Sequence, residues 1–332
     1  MNQFESVLYY IGDNKYDKSI AFDLDNTLIT TKSGKKFPIN FEDFKWINLQ
    51  KLQTLDQNII IFTNQSKMPS DFFKKIQLML KDINFSIFIS TQHDEYRKPH
   101  IGMYELYTKL IKHPITQYIG DAAGRTTDFS ACDKNFAHNA KILFKLPEEF
   151  YEIQHKSVYL PTFYDNIPNY EQTPIPQHDN LYVIFTCRLP ASDKSSYVKQ
   201  LKIPVISQDE CGSKAKTIKV VKNAIADKKS FVIDKLFCTI QERKEYLELF
   251  PPEYKKICYD FTDYDKDGQL TKLYIDRCKH LNEYRAFVLK ISKYIPDIVY
   301  NVQIKNFKPP NIEFDEIHVI KLNIPIIGRY ID

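Results

Sequence analysis

The sequence predicts an α/β protein made of two doubly wound domains, each a parallel sheet with helices on both faces. Three observations predict it. Short apolar runs at 19–22, 59–62, 85–90 and 118–119 alternate with segments of helical spacing. Several of those runs deliver a polar residue at the strand exit, Asp23, Thr63 and Asp121, where an open α/β sheet binds its ligands. A Pro-rich stretch then gives way to a fresh apolar strand at 181–185. With 332 residues, two domains are expected: 1–155 and 181–332, joined by a linker at 156–180.

Composition narrows the classes. A hydrophobic content of 43% is ample for packed cores. The formal net charge of +4 is compatible with an anionic polymer partner without requiring one. No apolar run approaches a membrane span, and no charged-then-apolar leader is present. The six cysteines are scattered without a Cys-x-x-Cys pair, so they read as reduced, intracellular residues rather than a zinc site.

Taken in order, residues 1–18 read as a lead-in strand or arm covering a sheet edge. The 30–38 turn is polar and should flap near the strand exits. Residues 41–55 have helical spacing through Phe44, Ile47, Leu52 and Leu55. Pro69, Ser70 and Asp71 open a helix that carries Phe73, Ile76, Met79 and Leu80 on one stripe. A strand at 85–90 and a helix at 103–111 complete the pattern. Residues 156–180 carry Pro161, Pro168, Pro174 and Pro176, a density that forbids helix.

The chemistry concentrates on Asp23 and Asp25. They flank one Leu, and in extended chain residues two apart share a face. Two carboxylates that close need a cation or a shared proton. Asp23-Leu24-Asp25-Asn26-Thr27 resembles the first motif of the haloacid dehalogenase superfamily of phosphotransferases. Thr63 after 59–62, Lys98 before Pro99, and Asp121 after Gly120 match the later motifs in order. The gaps 27–59 and 63–98 are too short for a cap domain, so the resemblance implies a capless, Rossmannoid phosphatase with an open site. An open site suits a phosphate on something large.

The resemblance narrows to the polynucleotide kinase 3′-phosphatase family through 22–35, 61–65, Arg97-Lys98-Pro99, Gly120-Asp121-Ala122-Ala123-Gly124-Arg125 and 146–150. Asn26 departs from that pattern, replacing a usual Gly. What the resemblance implies is a Mg²⁺-dependent polynucleotide 3′-phosphatase acting on DNA ends. Asp23 would be the nucleophile and Asp25 the general acid–base. Mg²⁺ would sit between the Asp23 carboxylate, the Asp25 backbone carbonyl and Asp121. Thr63 and Lys98 would neutralise the phosphoryl oxygens, and Lys35, Lys36 and Arg125 would contact substrate. Arg125 equally fits an internal salt bridge, and Asp128 fits either a supporting acid or a helix N-cap.

The second half resembles a P-loop-kinase-like domain. Arg188-Leu189-Pro190-Ala191-Ser192-Asp193-Lys194-Ser195 occupies the place of Gly-x-x-Gly-x-Gly-Lys-[Ser/Thr]. Lys194 and Ser195 are in register, while Arg188, Ala191 and Asp193 replace the glycines. Asp209 matches the family's general base, and Arg285 sits where lid arginines contact phosphate, or forms a helical surface salt bridge. The lost glycines and the added Asp193 charge argue against efficient use of ATP. The 263–274 segment matches half of an EF-hand loop, but Tyr274 stands where a closing Glu is needed, so it reads as an acidic turn capping a helix.

The expectation is an intracellular, nuclear or cytoplasmic 3′-phosphatase of DNA repair with a degenerate kinase half and no membrane association. Two readings stand beside it: a bifunctional phosphatase and 5′-hydroxyl kinase, and a capless phosphatase of protein or metabolite whose second half is an interaction module.

Overall fold

Strands buried on both faces need apolar residues at successive positions, and helices must cover each side. The computed structural model, which describes residues 1–35, 38–66, 72–159, 161–165, 167 and 171–331, has that arrangement twice. The chain divides into two compact units, 1–164 with 327–332, and 165–326.

The first unit runs β1 (Asn2–Phe4), β2 (Val7–Tyr10), β3 (Ser19–Phe22), β4 (Ile29–Thr30), β5 (Lys45–Trp46), α1 (Leu49–Gln53), β6 (Asn58–Asn64), α2 (Phe72–Met79), β7 (Ser86–Ser90), α3 (Gly102–Leu110), β8 (Ile115–Ile119), α4 (Cys132–Ala140), β9 (Phe144–Lys145) and α5 (Pro147–Phe150). Its main sheet has the order β1-β2-β7-β6-β3-β8-β9. The β7 to β9 portion is parallel, and the β1–β2 hairpin closes the β7 edge antiparallel. The residues before Ser19 therefore cover the sheet edge, as expected.

Alternation along the strands sorts side chains into two cores. Ile20, Phe22, Ile59 and Ile61 face α2 residues Phe72, Ile76 and Met79. Ala21, Ile60 and Phe62 face Met103, Leu106 and Tyr107 of α3 and Phe136 of α4. The chain leaves β3 toward β6 and β7, then returns to the other side for β8 and β9. The order reverses between β3 and β8, so a crevice opens at their carboxyl ends.

Two local expectations need correction. Residues 41–55 do not form one helix: 45–46 pairs with β4, and helix begins only after Asn48, whose side chain accepts from the Lys51 N–H. The described residues on either side of positions 36 and 37 are strapped to Asp43 rather than loose. The Asp43 carboxylate accepts from the Ile39 and Ser33 N–H groups and the Ser33 hydroxyl at 2.7 to 2.9 Å. Those donors, Ile39 foremost, hold its carboxyl below the usual range. The proposed helix start at Pro69, Ser70 and Asp71 lies outside the described residues. Among the described residues, the two gaps hold only β4, β5 and α1, and then α2 and β7, with no cap domain.

The second unit comprises β10 (Tyr182–Cys187), α6 (Lys194–Lys199), β11 (Val205–Ser207), α7 (Gln208–Cys211), α8 (Lys214–Ala226), β12 (Phe231–Asp234), α9 (Ile240–Leu247), β13 (Lys255–Asp260), α10 (Lys272–Glu283), α11 (Asp297–Asn306) and β14 (Glu316–Val319). Its sheet, β11-β12-β10-β13-β14, is parallel throughout. Val183, Phe185 and Cys187 face one core, and Ile184, Val232, Ile257 and Tyr259 the other. Both units are thus mixed α/β with parallel sheets. The EF-hand-like segment is a turn in which Asp265 Oδ1 accepts from the Asp267 and Gln269 N–H groups. Thr271 then caps α10 by accepting from the Tyr274 N–H.

The described part of the Pro-rich stretch contains one short 3₁₀ turn, Phe163–Asp165. Residues 327–331, which sequence order groups with 181–332, pack on the first unit instead. Asn139 exchanges two hydrogen bonds of 2.8 Å with the Arg329 backbone, and the Tyr164 hydroxyl accepts from the Tyr330 and Ile331 N–H groups.

Arg243 on α9 is fully buried. It donates Nε to Glu313 Oε1 at 2.7 Å and its Nη atoms to the carbonyls of Phe237, Lys308 and Pro309. Arg243→Met should strand one carboxylate and three carbonyls, costing the second unit about 3–5 kcal/mol. Urea unfolding followed by a probe confined to that unit measures it. A loss under about 1 kcal/mol would contradict this account.

Candidate active site

Asp23 leaves β3 at the switch point, its N–H bonded to the Ile119 carbonyl of β8 at 2.8 Å. The Lys98 ammonium, only 3% exposed, donates to Asp23 Oδ1 at 2.6 Å, Asp133 Oδ1 at 2.7 Å and the Tyr118 hydroxyl at 2.8 Å. Asn64, the last residue of β6, brackets the Lys98 backbone with hydrogen bonds to its N–H and carbonyl, both 3.0 Å. The lysine is therefore aimed by a strand end.

Asp133, in the first turn of α4, was not anticipated as a site residue. Its Oδ2 accepts from the Ala122 N–H at 3.1 Å. A Cβ built on Gly120 would lie 2.5 Å from Asp133 Cβ and Cγ, so the glycine is what lets this acid approach. In the acid motif Gly120-Asp121, the Gly is the sequence signal of this close approach. Asp121 is fixed by its N–H to Thr27 Oγ1 at 3.1 Å.

Asp25 lies just beyond, exposed, its Oδ2 receiving Gln65 Nε2 at 2.8 Å. The same Nε2 is 3.0 Å from Thr63 Oγ1, so Gln65 joins the acid to the buried hydroxyl. Asn26, standing for the usual Gly, takes the left-handed φ of 58° that Asn tolerates. The geometry thus brings Asp23, Asp25, Thr63, Lys98 and Asp121 together around one crevice.

Charge in this crevice is unbalanced. Burial raises Asp23 well above the usual carboxylate range, with Lys98 pulling it down and Asp133 and Asp121 pushing it up. Burial, then Asp133, lifts Asp121 to about 7. Burial opposes the Lys98 charge, but Asp133 and Asp23 outweigh it and raise its pKa. One ammonium faces three acids whose oxygens lie within 4.8 Å of one another. Both Asp133 oxygens are committed to Lys98, Tyr118 and the Ala122 N–H. Asp23 and Asp121 are the pair whose chemistry fits a hard divalent cation.

The substrate-contact residues fare differently. Arg125 is spent internally: Nε on Asp128, Nη1 on Glu148 Oε1 at 2.9 Å and Nη2 on the Asp121 carbonyl at 3.1 Å. The internal salt bridge is formed, and it braces the Asp121 loop. Asp128 anchors that arginine and accepts from the Ala123 and Arg125 N–H groups, so it is not a helix cap. Lys35 is exposed. Lys36 lies outside the described residues.

In the second unit, the loop after β10 holds two non-glycine residues in left-handed conformation: Ala191 and Asp193 have φ of 56° and 59°. Its cations are occupied. Asp234, ending β12, takes Lys194 Nζ on one oxygen and Arg188 Nη2 at 3.2 Å on the other. Burial, then Arg188, depresses Lys194 to about 8. The Leu189 N–H, a would-be phosphate donor, is bonded to the Tyr274 hydroxyl at 3.0 Å. Ser195 and Asp209 are exposed, and Asp209 acts on Lys194 electrostatically. Arg285, in the Tyr284–Val288 π turn, faces Asp193 together with Arg277.

Comparison with known proteins points the same way as the geometry. The family described as Polynucleotide kinase 3 phosphatase matches residues 18–151. A bifunctional polynucleotide phosphatase/kinase of Schizosaccharomyces pombe is 29% identical, covering 90% of this chain and 78% of its own length. A putative bifunctional polynucleotide phosphatase/kinase of Acanthamoeba polyphaga mimivirus is 29% identical, covering 96% of this chain and 91% of its own. An uncharacterized 20.8 kDa protein of Autographa californica nuclear polyhedrosis virus is 35% identical, covering 46% of this chain and 96% of its own. With Asp23, Thr63, Lys98 and Asp121 gathered at one strand-end crevice inside the matched segment, the chain belongs to the polynucleotide kinase 3′-phosphatase family.

Proposed function

We propose that the first unit removes 3′-phosphates from polynucleotide ends, DNA in particular, through an aspartyl-phosphate on Asp23. The observation that carries this reading is the buried Asp23–Lys98–Asp133 network beside Asp25, at the switch point of a sheet without a cap. Lys98 fixes Asp23 Oδ1, leaving the carboxylate to attack phosphorus along a defined line. The bond from phosphorus to the 3′-oxygen breaks, and Asp25 gives that oxygen its proton. Asp25 then takes a proton from water, which attacks the acyl phosphate, releases inorganic phosphate and restores Asp23.

Thr63 accepts from Gln65, which leaves its own proton available for a phosphoryl oxygen. Asp23 and Asp121, with the Asp25 backbone carbonyl, would hold Mg²⁺, which supplies charge neutralisation for the phosphate when bound. DNA repair in the nucleus or cytoplasm is the setting this reading implies. All six cysteines are free, which supports a reducing compartment.

Asp23→Asn should cut phosphate release by about 10⁴-fold or more, with no labelled acyl phosphate trapped on the chain. The measurement is release from a 3′-phosphorylated nicked duplex, with phosphopeptides as a comparison substrate. Near-normal turnover by Asp23→Asn removes the mechanism, and preference for phosphopeptides removes the polynucleotide.

Activity on the polymer should fall steeply with salt, because an open site holds its substrate through phosphate contacts. Lys35→Ala should flatten the log–log slope by about one and spare a small chromogenic ester. Parallel loss on both substrates would show that no polymer contact is being screened.

The second unit, on this reading, is a poor kinase or none, although the two long relatives are named bifunctional. Support comes from the occupied cations: a nucleotide must displace Asp234 from both Lys194 and Arg188 while accepting the Asp193 charge nearby. Transfer of labelled γ-phosphate from ATP to a 5′-hydroxyl oligonucleotide tests it. Weak or absent transfer is expected; robust labelling that Lys194→Ala abolishes would restore the bifunctional reading.

A further inference from the structure

A second cluster of ligand-type side chains sits at the edge of the second sheet, independent of the Asp23 centre. β13 and β14 are parallel neighbours, with Ile257 opposite Glu316 and Tyr259 opposite His318. Glu316 and His318 are two apart on β14 and so project to one face. His178, from the Pro-rich segment entering this unit, is folded over them with a side chain only 2% exposed. Its Nδ1 lies 3.8 Å from Glu316 Oε2, and His318 Nε2 lies 3.2 Å from that same oxygen. The two imidazole rings are 5.2 Å apart, at 65° to each other. One ligand atom from each of the three residues falls within 4.8 Å of the other two.

We propose that His178, Glu316 and His318 bind a zinc-class divalent metal, which pins the entering segment to the sheet edge. Two imidazoles and one carboxylate form a donor set that suits zinc and leaves a fourth position for water. Imidazole nitrogen also selects against Mg²⁺ and Ca²⁺, which take oxygen. The outer contacts are those a ligated set needs. Tyr259 hydroxyl is 2.7 Å from His178 Nε2, which turns the other ring nitrogen toward Glu316. Lys255 occupies Glu316 Oε1 and leaves Oε2 to face both rings.

Burial keeps His178 below its ordinary pKa, with His318 and Lys255 adding to the effect against Glu316 and Asp179. The ring is therefore neutral at pH 7 and its lone pair available. Closing the three atoms to the ~3.3 Å separations of a tetrahedral zinc shell requires shifts of about 1 Å.

The test uses the full chain with Zn²⁺ alone at one equivalent, read by X-ray absorption at the zinc edge. A shell containing two imidazole nitrogens is expected. An all-oxygen shell would place the zinc on carboxylates such as Asp23 and Asp121 and overturn the proposal. Cobalt titration gives the second arm: visible bands in the wild-type chain, with affinity at least about tenfold weaker in His318→Ala. Bands that persist unchanged in a chain carrying both His178→Ala and His318→Ala would overturn it as well. Because the absorption measurement needs only the unaltered chain, a variant that fails to fold does not shield the idea.

Discussion

One buried ammonium organises the first unit's chemistry. Lys98 reaches Asp23, Asp133 and Tyr118 at once, in a place where an unpaired charge would cost several kcal/mol. Removing Lys98 would leave Asp23 and Asp133 facing each other without their shared cation, so four elements are constrained together. The β6 end holds the lysine's backbone through Asn64, β3 brings Asp23, β8 brings Tyr118 and α4 brings Asp133. Three acids against one ammonium leave a surplus of negative charge, and burial makes that surplus expensive. Protonation of Asp23 or Asp121 relieves that surplus, which is why burial pushes both carboxyls up.

Much of this was legible because a parallel sheet writes its strands as continuous apolar runs and places its chemistry where they stop. That rule puts Asp23, Thr63 and Asp121 at strand exits, and the ordered motif resemblance made them one site. What stayed hidden was set by approach in space. Asp133 is twelve residues past Asp121 and meets Lys98 only because Gly120 lets α4 come close. Arg125 was open between two roles in the sequence, and the fold shows the internal one: its planar fork bonds Asp128, Glu148 and the Asp121 carbonyl. The expected helix at 41–55 failed for a different reason. Its apolar spacing is real, but Asp43 collects three donors from the preceding turn, and 45–46 pairs with β4. Period alone could not see those partners.

The second unit separates backbone from chemistry. The loop between β10 and α6 holds left-handed residues at Ala191 and Asp193, a conformation where glycine is at home. Such a conformation costs a non-glycine residue about 1–2 kcal/mol. A loop whose shape no longer mattered would be expected to relax into cheaper dihedrals. Here it is held by its surroundings: the Tyr274 hydroxyl accepts from the Leu189 N–H, the Tyr300 hydroxyl from α11 donates to the Pro190 carbonyl, and Asp234 ties Lys194 to Arg188. Those contacts satisfy two cations, one backbone donor and one carbonyl of the loop from within the unit. The strain is thus offset by internal bonds, so the loop's form can be maintained by folding stability alone. The carboxylate of Asp234, shared by both cations, is the centre of that internal network.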